Sequence, residues 1–117
     1  MNERDFVALL RQHVRDDAVE GVIKILENPP GRRPAQEISE LGAWYLGLAA
    51  EDRERVRRVM GLLAHHVTFG MLAVLDGARP LSAGDGPNGH FELDYVEPSG
   101  ERTALVSESG GVLHEHL

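Results

Sequence analysis

Apolar positions along the chain fall into helix-period runs followed by a stretch of strict alternation. From Glu3 to about Asn28, Phe6, Leu9, Leu10 and Val14, then Val19, Val22, Ile23 and Leu26, recur at spacings of three and four. Asp16-Asp17 suits the cap of a second helix inside this run. Pro29-Pro30-Gly31 ends it, because proline has no N–H and its ring clashes with the preceding turn. Pro34 suits the first turn of a third helix, Ala35 to about Leu48, with Ile38, Leu41, Trp44, Tyr45 and Leu48 as its buried stripe. After a short join, Glu51 to Gly77 reads as one long central helix, with acid at its positive end and glycine at its stop. Val56, Met60, Leu63, Val67, Gly70 and Val74 mark one apolar stripe, and Leu62, His66, Phe69 and Ala73 a second. Its C-terminal half is therefore expected to be buried nearly all round.

The pattern changes at Gly77. A loop over 78–90 carries Pro80, Gly84, Gly86, Pro87 and Gly89. Phe91-Glu92-Leu93-Asp94-Tyr95 then alternates as a half-buried strand does, Pro98-Ser99-Gly100 turns, and Arg102 to Val106 returns. Gly110-Gly111 turns the chain again before an extended Val112-Leu113-His114. Helices first and antiparallel strands after give an α+β fold. The expectation is a single domain, 1–117. Helices over residues 1–77 form a bundle around the central helix (about 51–77), and a C-terminal antiparallel β-hairpin (about 91–106) follows. An isolated hairpin is not stable in water, so Phe91, Leu93, Tyr95 and Leu105 are expected to lie against the helices.

Charge narrows the partner. The chain of 117 residues has net charge −7: up to Arg79, 12 acids face 11 Lys or Arg, and beyond it seven acids face Arg102 alone. Acid gathered at one end argues against nucleic acid and fits a basic protein partner. The absence of cysteine removes disulfides, thiolate metal sites and cysteine nucleophiles, and fits a reducing cytoplasm. The apolar run Val59 to Leu75 is short for a membrane span and carries His65, His66 and Thr68 in its middle. A buried core helix is the expectation, with no membrane.

Candidate chemistry is sparse. No Gly-x-Ser-x-Gly surrounds any serine, and the glycines about Asp85 lack both the lysine of a phosphate loop and the distal glutamate of a calcium loop. Adjacent His65 and His66 point about 100° apart on a helix and do not act as an i, i+4 ligand pair. His114-Glu115-His116 would set two imidazoles on one strand face. His65, His66, Asp76 and His114, with Arg79 beside them, therefore form the candidate metal or ligand set of a small metal-dependent enzyme. Asp76 itself sits at a helix C-terminus, where negative charge is unfavourable by up to about 1 kcal/mol, and an Arg79 salt bridge is the simplest compensation. Glu92, Asp94 and Glu97 on the hairpin, and Arg32 and Arg33 between prolines, are the candidate partner contacts.

The strings Pro29-Pro30-Gly31-Arg32-Arg33-Pro34, Phe69 to Gly77 and Leu113-His114 resemble a family of small stand-alone bacterial proteins of unassigned function. In plan and charge the chain is also similar to immunity proteins of bacterial toxin systems. The lopsided acid and the absence of catalytic motifs point the same way, to a non-enzymatic, cofactor-free cytoplasmic domain of immunity type that binds a basic protein through its acidic C-terminal face. A homodimer through the first helix or the strand Phe91–Tyr95 is the other protein partner the pattern allows.

Overall fold

The computed structural model describes residues 1–81 and 89–117; the glycine-rich stretch around Asp85, most of the expected loop, lies outside them. In chain order it forms α1 (Glu3–Leu10), a π-helical turn (Arg11–Asp16), α2 (Asp17–Glu27), α3 (Gln36–Leu46), α4 (Ala50–Leu75), β1 (Leu93–Val96), β2 (Arg102–Val106) and a 3-10 turn (Leu113–His116). This is the expected α+β fold, with the long helix and the antiparallel hairpin in place. The chain divides into two compact units, Met1–Gln12 with His66–Leu117, and His13–His65.

In the first unit, Asn2 caps α1 by accepting the N–H of Asp5 at 2.8 Å, which satisfies one of the free donors of the first turn. Val7 from α1, Leu72 from α4, Leu105 and Val106 from β2, and Leu113 form its core. Leu93 and Tyr95 pack at the margin as expected, whereas Phe91 precedes β1 and is exposed. Strand register explains why two consecutive residues of β2 are both buried. Leu93 pairs with Val106 but Asp94 with Ala104, so a bulge leaves Leu105 as an extra residue and breaks the alternation. The C-terminal residues form a 3-10 turn instead of the expected extended segment. Leu113 enters the core there, and the Arg11 guanidinium donates to the carbonyls of His116 (2.7 Å) and Leu117 (3.1 Å).

The second unit is built on Ile23, Leu26 and Tyr45, with Val19, Leu48, Val56 and Met60 packed against them. Gly42 is what lets α3 approach α2: a Cβ there would lie 2.6 Å from the Leu26 carbonyl oxygen. The buried stripe of α3 is therefore Gly42 and Tyr45, and Leu41 and Trp44, expected inside, are exposed. Asp16 does not cap α2. It is itself helical (φ −74°, ψ −40°), its carboxylate accepts from Arg15 Nε at 2.9 Å, and the chain passes through the π-turn without a break. Arg57 on α4 pairs with Glu20 on α2.

The largest departure concerns α4. Leu72 and Ala73 are buried, but Val59, Leu62, Leu63, Val67 and Met71 are each 61–65% exposed. The expected all-round burial is not found; one apolar face of this helix meets solvent.

Candidate functional site

Two features carry chemistry: the pair of buried Asp76 with partly buried His114, and the exposed face of α4. The first begins with the way α4 ends. Gly77 adopts φ +78°, and the N–H groups of Ala78 and Gly77 donate to the carbonyls of Ala73 (2.9 Å) and Val74 (3.1 Å). These two hydrogen bonds about a left-handed glycine close the helix and leave Asp76 at its end.

Asp76 is 4% exposed and stands at the negative end of the helix dipole, where a carboxylate needs donors. Arg79 does not supply them. Asp76 Oδ2 accepts the backbone N–H of His114 at 2.7 Å and faces His114 Nδ1 at 2.6 Å. A carboxylate oxygen in this pair can only accept, so Nδ1 is the protonated ring nitrogen. The Asp76 carbonyl accepts the Gly111 N–H at 3.1 Å. Gly110 (φ +97°) and Gly111 make room for this: a Cβ on Gly110 would lie 2.8 Å from the Asp76 carbonyl, and one on Gly111 would overlap Asp76 Oδ1. Oδ1 is buried and has no hydrogen-bond partner among the described residues. Phe69 on α4 meets the His114 ring edge-on, with centroids 5.5 Å apart and planes at 87°.

An aspartate orienting a histidine through Nδ1 is half of a nucleophile-activating triad. Among the described residues the other half is not assembled beside it. Ser107 and Ser109 bond each other at 2.8 Å, and Ser107 also reaches the Gly110 carbonyl. A cavity of about 570 Å³ adjoins the helix end, with Val74, Asp76, Arg79, His90, Glu108 and Ser109 in its wall, but His114 is not among its described lining residues. The pair acts as a latch that fastens the C-terminal segment to the end of α4.

Of the candidate metal set, the structure brings together Asp76 and His114. Arg15 Nη1 lies 3.3 Å from His65 Nδ1, and His66 is exposed on α4. Among the described residues no three His, Asp or Glu side chains gather as a metal site. His116, expected beside His114 on a strand face, instead lies 3.7 Å from Glu3.

The candidate partner contacts are on the surface but partly engaged. Glu92 lies 3.4 Å from His90, Asp94 lies 3.7 Å from Arg102, and Glu97 lies 3.2 Å from the Met1 amino group. Glu92 falls just before β1 rather than within it. Arg32 and Arg33 are exposed and have no ion pair among the described residues.

The α4 face was hidden in the sequence by its own hydrophobicity. Leu63 and Val67 come from one expected stripe, Leu62 from the other and Val59 and Met71 from neither, and a helix this apolar looks the same in sequence whichever of its faces is left outside. By length and composition α4 could also cross a membrane, with mean hydropathy 1.4 over 18 residues, of which 17% are buried. Comparison with family models, with curated proteins and with solved structures finds no match.

Proposed function

We propose that this protein is a non-enzymatic binding module whose contact surface is the exposed apolar face of α4. One observation carries this reading: five large apolar side chains on one helix, each about three-fifths exposed, in a 117-residue chain. Full burial of such a side chain is worth about 1.5–3 kcal/mol, so each leaves about 1 kcal/mol or more unrealised in the isolated chain. Contiguous exposed apolar surface of this kind marks interaction sites. A protein partner is favoured over a membrane surface, because a net charge of −7 is repelled by anionic lipid. The cytoplasm is the setting that a cysteine-free chain suits.

The test is a photocrosslinking amino acid placed at Leu63 in the living host, with exposed Glu37 on α3 as the control position. Protein adducts from position 63 and none from 37 are expected; an empty lane at 63 would refute the reading.

A second reading, the immunity-type one, draws on the exposed acids Glu92, Asp94, Glu101, Glu108 and Glu115. Here a basic partner is steered by the acidic C-terminal region of the chain. Replacing Glu92, Asp94 and Glu97 with lysine should slow association of a basic partner trapped through Leu63 at least about tenfold at low salt. An unchanged association rate would exclude it.

A further inference from the structure

A contact surface on α4 needs something to cover it. Resting on that reading of α4, we propose that a second copy of this chain covers it, α4 packing antiparallel on α4 about a two-fold axis near residue 65.

The face is suited to meet itself. Val59, Leu63, Val67 and Met71 are spaced by four, so they are arranged symmetrically about that residue. A two-fold contact uses one patch on both copies and requires that the patch complement itself. Turned antiparallel, Val59 of one copy meets Met71 of the other, and Leu63 meets Val67. The face is about 18 Å long at the helical rise. Its five side chains offer on the order of 500 Å² per copy, so two copies reach the roughly 1,000 Å² that a specific interface needs.

The helix dipole sets the direction. Residues 51–58 carry Arg53, Arg55, Arg57 and Arg58 against Glu51, Asp52 and Glu54, and Arg55 and Arg57 are already paired with Asp52 and Glu20, so side-chain charge there is nearly balanced. Antiparallel pairing sets the positive end of each α4 beside the negative end of the other, whereas parallel pairing would set like ends together.

The chain lacks cysteine, so single-cysteine variants report proximity without background. Light scattering of the full chain at about 100 µM should give the mass of two chains, as a dissociation constant in the micromolar range requires. Leu63→Glu and, separately, Val67→Lys should weaken association about 100-fold or more while leaving the circular dichroism spectrum unchanged, because neither residue belongs to a core cluster. A mixture of Val59→Cys and Met71→Cys chains should form disulfide-linked pairs on air oxidation, and Val59→Cys alone should not.

A single-chain mass up to the solubility limit overturns the proposal, as does a dimer that survives both charge variants, or Val59→Cys chains that link to themselves faster than to Met71→Cys. A single-chain mass together with a different protein crosslinked at Leu63 removes the second copy and leaves the binding reading standing. Co-sedimentation of single chains with phosphatidylcholine vesicles, lost in Leu63→Glu, removes both and makes a lipid surface the occupant.

Discussion

At the scale of single residues, Asp76 shows how a group in an unfavourable place is kept there. Its charge opposes the helix dipole by a few tenths to about 1 kcal/mol. Two hydrogen bonds from His114 to the same oxygen, each charge-assisted and worth about 1.5–3 kcal/mol, outweigh that cost. Asp76→Ala removes both and leaves the His114 N–H without its acceptor, so a loss of about 2–3 kcal/mol is expected, a Tm lower by roughly 10 °C. Asp76→Asn keeps an acceptor oxygen and should lose less than Asp76→Ala. Thermal melts that barely separate Asp76→Ala from the parent would show that the latch is not a stability element. The sequence singled out Asp76 correctly from its position at a helix end. It put His114 in the same candidate set but made Arg79 the partner of Asp76, because the 37 residues between Asp76 and His114 include the expected loop, the hairpin and two glycine turns.

At the scale of elements, legibility follows the length over which a pattern repeats. The 26 residues of α4 and the turn at Pro98-Ser99-Gly100 were readable because several independent signals agree there. The π-turn at Arg11–Asp16 was not, since Asp16 and Asp17 satisfy a capping pattern that the continuing helix then overrides. The bulge at Leu105 was equally silent, being set by pairing with a separate strand rather than by local composition. Glycines separate by the same logic of surroundings. Gly42→Ala drives a methyl into the Leu26 carbonyl and should cost about 1–3 kcal/mol. Gly61→Ala in the middle of α4 meets nothing within 4 Å and should gain up to about 1 kcal/mol of helix propensity. Melting curves of the two variants moving in the same direction would contradict the α2–α3 contact described for Gly42.

At the scale of the whole molecule, no local pattern reports which apolar face is left outside, because burial is decided by how many elements are available to cover a helix. Two small clusters take up Val7, Leu72, Leu105, Val106 and Leu113 on one hand and Ile23, Leu26 and Tyr45 on the other, and the solvent-exposed face of α4 contributes to neither. Stability and association are therefore separable, and mass action exposes the difference. If folding and pairing are linked, each tenfold rise in concentration above the dissociation constant adds about 1.4 kcal/mol to the folded dimer. For two chains of this length that corresponds to a Tm higher by about 4 °C. The parent protein should show this climb across a concentration series in scanning calorimetry, and Leu63→Glu should melt at one temperature throughout. A flat series for the parent would mean that the face is not covered by a second copy at those concentrations. A climb shared by Leu63→Glu would place the self-contact on another surface, with the edge of β1 the first to test by substituting proline at Asp94.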